Sequence, residues 1–181
     1  MKKIFFFIVL SCLLSFASYS QLMVAKLIGK DTEKFGLGYG LFTYYDIPLS
    51  NENQSIRLEL AEFSFFPLKG EKFFTSTADA KGYLSIKGGY KYVFSETATG
   101  FYIEPSVGYC RVVDIREGQD ATYGDGVAAA VEGGYSLAVG QNGHSINLGL
   151  KYETDRGGNG YNINTVGFRL SYAFNLFGKK E

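Results

Sequence analysis

The sequence predicts an all-β chain, an eight-stranded antiparallel up-and-down transmembrane β-barrel, and three observations carry that prediction. Apolar and polar residues alternate with period two over most of the chain after Ser20, and no 3.6-residue period competes over a comparable length. The connections between the alternating runs are short and long by turns, with Gly29–Lys34 the one short member of the long set, as expected when two rims face different compartments. The polar face of the runs is built of small residues with charges of both signs, which suits a cramped lumen better than a solvated surface. Composition agrees, with 23 Gly, 16 Phe, 14 Tyr, no Trp and 3 Pro in 181 residues.

The same numbers exclude other classes. A formal net charge of zero argues against a nucleic-acid binder, which shows a basic face. Two Cys and one His are too few for the usual Cys/His zinc sites. With 46% hydrophobic and 17% aromatic residues the chain is not disordered. Its length fits one domain.

The first element is not part of the fold. Lys2 and Lys3 precede an apolar run from Ile4 to Leu14, and Ser18 and Ser20 stand at −3 and −1 of a cleavage before Gln21. Residues 1–20 therefore read as a secretory signal peptide, too short to span a bilayer as a helix. Cys12 lies inside the apolar run rather than after it, which disfavours a lipoprotein acylation site. The barrel domain then covers 21–181, keeps Cys110 as its sole cysteine and carries a formal charge of −2.

The strands follow in order. A weak first strand spans Leu22–Ile28. The second sets Leu37, Tyr39, Leu41, Thr43, Tyr45 and Ile47 against Gly36, Gly38, Gly40, Phe42, Tyr44 and Asp46. A third covers Ser55–Phe66, and the fourth presents Leu84, Ile86, Gly88, Tyr90, Tyr92 and Phe94. The fifth alternates Phe101, Ile103, Pro105, Val107 and Tyr109, and the sixth runs from Val127 to Val139. Ile146, Leu148, Leu150 and Tyr152 mark the seventh. The eighth is the clearest, with Val166, Phe168, Leu170, Tyr172, Phe174 and Leu176 on one face. Several runs reach the ~9–11 residues that a tilted strand needs to cross a bilayer. Pro48–Gln54, Ser95–Gly100 and Gly140–Gly143 read as short turns, and Pro67–Lys81, Arg116–Gly126 and Asp155–Asn162 as long loops.

Alternation does not by itself say which face is inside, since a soluble lipocalin-like barrel turns its apolar residues inward and a membrane barrel turns them out. The polar face decides. Gly38, Gly40, Ser85, Gly108, Ala128, Gly134, Ser136, Gly149, Gly167 and Ser171 are small, and an eight-stranded lumen has room for little else. Its few long residues are Arg57, Lys87, Lys91, Lys151 and Arg169 against Asp46, Glu59, Glu104, Glu132 and Glu153. Buried charge is tolerated when paired, so these ten are expected to interlock as an interior polar network. The apolar face is nearly free of charge, as a lipid-facing surface must be. Glu62 breaks that pattern unless its strand shifts register there. Aromatic residues gather at strand ends, as interfacial girdles do.

On this pattern, and on the closing strand VGFRLSYAFNLF, the chain resembles the small OmpA/OmpX-type outer-membrane β-barrels of Gram-negative bacteria. The resemblance implies residence in the outer membrane, with outer-membrane lipid around it, both termini in the periplasm, and a final strand read by the barrel assembly machinery. Gly178 to Glu181 follow the last aromatic residue, where the family usually ends on it. It implies no particular activity.

Candidate chemistry is sparse. His144, Ser145 and Asn147 bring to mind the lipid A deacylase barrels, whose His and Ser are separated by one residue; here they are adjacent and point to opposite faces. Cys110 lacks a His partner and reads as packing. Asp114, Glu117, Asp120 and Asp125 match no calcium-loop spacing. Arg156 to Gly160 lacks the strand–loop–helix context of a phosphate cradle. Phe73 and Phe74 are the exposed aromatic feature of the longest loop. No catalytic residue, metal or cofactor is assigned. The expected function is non-enzymatic, exerted through the loops as adhesion, surface interaction or envelope support around a plugged interior. A narrow porin-like channel is the alternative, and a lipid-modifying enzyme comes last.

Overall fold

The computed structural model describes residues 21–29, 32–51, 53–70, 80–95, 99–115, 120–139, 144–158 and 162–173. The signal segment 1–20, Phe73 and Phe74, Glu117, and the aromatic chain end after Ala173 lie outside the described residues. Eight strands follow one another: β1 (Gln21–Leu27), β2 (Leu37–Pro48), β3 (Gln54–Pro67), β4 (Ala80–Val93), β5 (Gly100–Ile115), β6 (Thr122–Val139), β7 (His144–Gly157) and β8 (Asn162–Ala173). Each pairs antiparallel with the next, and β1 pairs with β8, so the sheet closes on itself. Closure gives a membrane-spanning sheet no open edge in lipid.

Alternation sorts the two faces as the sequence indicates. Leu22, Leu41, Phe63, Ile86, Val107, Val131, Leu150, Phe168 and Leu170 are exposed on the outer wall. Gly38 and Gly40, with Ser64, Ser85, Ala128 and Ser171, face a lumen they leave room to fill. Gly134 and Gly149 show the need directly. A Cβ on Gly134 would meet the Tyr102 ring at 2.6 Å, and one on Gly149 would meet the Glu132 carboxyl carbon at 2.7 Å.

Two departures from regular alternation change what lies inside. Strand β3 carries one residue more than either neighbour: Thr43 pairs with Ala61 and Tyr44 with Glu59, while Glu59 faces Lys87 and Glu62 faces Ser85. This β-bulge moves the inward positions from Arg57 and Glu59 to Glu62, Ser64 and Phe66, so Glu62 is fully buried in the lumen. Strand β7 runs on to Gly157, which corrects the reading of Asp155 as a loop residue; it is fully buried. The loops are shorter accordingly, because β6 already starts at Thr122 and β4 at Ala80. A lumen expected to balance five cations with five carboxylates therefore holds seven carboxylates.

Candidate functional site

The lumen is layered. Near the ends joined by Pro48–Gln54 and Ser95–Gly100 it is polar and partly open: the Arg57 guanidinium holds Asp46 in two bonds, Nε to Oδ1 at 2.6 Å and Nη2 to Oδ2 at 2.7 Å. Arg57 Nη1 reaches Glu104 Oε2 at 2.7 Å, and its guanidinium carbon lies 3.6 Å from the Tyr44 ring centroid. Fork geometry of this kind is what Arg offers and Lys does not. Asp46 remains 28% exposed at this mouth. Lys91 departs from the expected carboxylate pairing. It donates to Asn147 Oδ1 at 3.0 Å and sits 4.5 Å from the Tyr102 ring centroid, while Asn147 Nδ2 donates to Tyr44 Oη at 3.1 Å and Ser171 Oγ at 3.3 Å.

The middle layer is a single ionic cluster. Arg169 bridges Glu59 at 2.6 Å and Glu132 at 2.8 Å while lying over the Phe42 ring at 3.4 Å. Lys87 contacts Glu59 at 2.8 Å, Glu62 at 3.0 Å and Glu153 at 2.6 Å. Lys151 is held against Glu62 and Glu153. Tyr102 and Tyr83 donate their hydroxyls to Glu132 and Glu62, each at 2.5 Å. Glu62, the charge that breaks the alternation of β3, thus sits at the centre of the network. A residue count cannot reveal this, because the bulge that turns it inward leaves no mark beyond the misplaced charge itself.

The third layer is mostly hydrocarbon, with Asp155 and Thr165 buried in it. Leu27, Phe35, Phe66, Ala80, Tyr83, Cys110, Val112, Ala128 and Ile163 close the lumen at the end of the long connections, with Phe66 and Tyr83 stacked 6.2 Å apart. The ten charged residues read from the sequence as an interior network occupy the lower two layers. Cys110 lies in this cap, and both Asp155 oxygens lack a hydrogen-bond partner among the described residues.

The other candidates disperse. His144 stacks on Tyr172 at 5.9 Å, while Asn147 is committed to the lumen. Asp125 is bound by Arg111 Nε at 2.6 Å and by the Tyr109 hydroxyl at 2.6 Å on the outer wall. Asp114 and Asp120 sit apart from that pair, on β5 and in the connection after it.

A charged lumen inside an apolar outer wall is thus enclosed by a closed eight-stranded antiparallel barrel. Solved structures share the fold. Neisserial surface protein A (NspA) is 15% identical, with TM-score 0.56 over 84% of this chain and 90% of its own. The outer membrane enzyme PagL is 14% identical, with TM-score 0.53 over 84% of this chain and 97% of its own. No family model and no curated protein matches the sequence.

Proposed function

We propose that this chain is a non-enzymatic outer-membrane barrel whose filled lumen is a rigid support and whose surface end makes the functional contacts. The observation that carries this reading is the layered interior. The ionic cluster occupies the waist, and a hydrocarbon cap lies over it, so a water column would have to cross both. The outer-membrane setting is supported by the fold it shares with outer-membrane proteins and by the apolar wall; assembly machinery and outer-membrane lipid are the partners it implies.

The surface end is built for contact. Strands β5 and β6 are the longest, at 16 and 18 residues. The β6 residues Thr122 to Asp125 pair with Asp114 to Arg111 of β5, whereas pairing to β7 begins only at Gly126 with Gly157. Among the described residues that leaves a short free strand edge beside exposed Tyr123 and Ile115, and such an edge accepts an added strand from a partner.

In a planar bilayer the purified barrel should show little or no steady conductance. A large, stable single-channel current would favour the channel alternative and sink the filled-lumen reading. Protease added outside intact cells should cut within the connections 68–79, 116–121 or 158–161 and spare Pro48–Gln54. Cleavage of the short turns instead would invert the orientation.

A further inference from the structure

The outer wall is not uniform around its upper edge. On β7, β8 and β1 the apolar belt ends at Tyr152 and Val166, both exposed. Directly above them stand polar residues on the same face. Thr154 and Asn164 are register partners, and Thr154 Oγ1 donates to Asn164 Oδ1 at 2.8 Å. That bond uses the amide oxygen of Asn164 and leaves its Nδ2 hydrogens as donors.

Two basic side chains flank this pair. Arg156 is two residues beyond Thr154 on β7, exposed and on the same face. Lys26 on β1 is the register partner of Val166, and therefore diagonal to Asn164, and is also exposed. Neither makes an ion pair among the described residues. Arg111 at this end is different: it is neutralised by Asp125 in a bidentate pair, with the Tyr109 hydroxyl added to the carboxylate. Lys26 and Arg156 thus stand on the two strands that flank β8, where the apolar belt of that wall ends.

We propose that Lys26, Asn164 and Arg156 form a seat for the phosphate of an anionic lipid headgroup, whose acyl chains lie along Tyr152, Val166 and Phe168. The chemistry is complementary. Arg gives two parallel N–H donors to phosphate oxygens, Lys extends its ammonium upward from an apolar stem, and the Asn amide supplies a neutral donor between them. The site is independent of what the loops bind but rests on the membrane-spanning reading of the barrel.

The folded barrel in mixed micelles of phosphatidylglycerol and phosphatidylcholine, followed by native mass spectrometry, tests it. The wild type should retain phosphatidylglycerol preferentially. Lys26→Gln with Arg156→Gln should weaken that retention by roughly 30-fold, while Lys26→Arg with Arg156→Lys should restore it. Arg111→Gln should leave the preference intact, because Arg111 already has its counter-ion. A heat-modifiability gel confirms that each variant is folded. Equal retention of both lipids, or a preference untouched by the double Gln variant, would overturn the seat. Displacement of the lipid by millimolar inorganic phosphate would overturn a lipid source in favour of free phosphate. A chain that never enters the micelle would overturn the membrane reading together with the site, whereas one that enters without discriminating overturns the site alone.

Discussion

Replacing Arg169 with leucine is expected to lower the stability of the folded barrel by about 3–5 kcal/mol, the cost of leaving buried charges without their counter-ion. Arg169 is 2% exposed and joins Glu59 to Glu132 across the lumen. Its removal strands Glu132, whose remaining bond is the Tyr102 hydroxyl, and Glu59 keeps only its contacts with Lys87 and Lys151. The lumen already carries two more carboxylates than cations, so losing a cation deepens the imbalance. Arg169→Lys should recover part of the loss, since a lysine restores the charge but lacks the planar fork by which Nη2 meets Glu59 and Nη1 meets Glu132. The double change Arg169→Leu with Glu132→Leu should be milder than the sum of the singles, because a missing pair is tolerated better than a broken one. Urea unfolding in micelles measures all of these. A single Arg169→Leu variant as stable as wild type would mean that water, rather than the ionic cluster, fills the waist.

That prediction rests on residues the sequence made legible and on some it did not. The strands and the two faces follow from strict period-two alternation, because every residue of a closed barrel faces either lumen or lipid. The ten charged residues expected in the lumen all sit on the inward face, because parity alone places them. Parity fails where one residue is inserted: past Leu60 the bulge in β3 turns Glu62 inward, and the sequence records this only as a charge on the wrong face. Asp155 was hidden by composition. It sits between Thr154 and Arg156 next to a run of glycines, and the run looks like a loop although β7 stays paired through Gly157. The hydrocarbon cap escaped for a different reason. Alternation says which face a residue takes but not at what height, and only the stagger of the closed sheet brings Leu27, Phe66, Val112 and Ile163 to the same end. Lys91 shows the limit of charge counting, since its partners are an amide and an aromatic face.

The neighbouring residue tests the opposite wall. Leu170→Arg should destabilise the barrel by about 2–4 kcal/mol, the range for a basic side chain placed at the bilayer midplane. Leu170 is exposed outward with Leu22 and Leu148 as its register partners, well below the polar pair of Thr154 and Asn164. An arginine there has no carboxylate to meet and must stretch toward a rim or draw water into the hydrocarbon. Depth provides the control. Val127 is also exposed outward, but its register partners are Tyr109 and Arg156, at the upper edge where Asp125 and Arg111 begin. Val127→Arg should therefore cost only about 0–1 kcal/mol. Unfolding of both variants from lipid vesicles gives the comparison. A soluble barrel would show two small effects of similar size, since exposed arginines are harmless in water. The membrane reading requires that the two positions separate by depth, and equal costs at Leu170 and Val127 would defeat it.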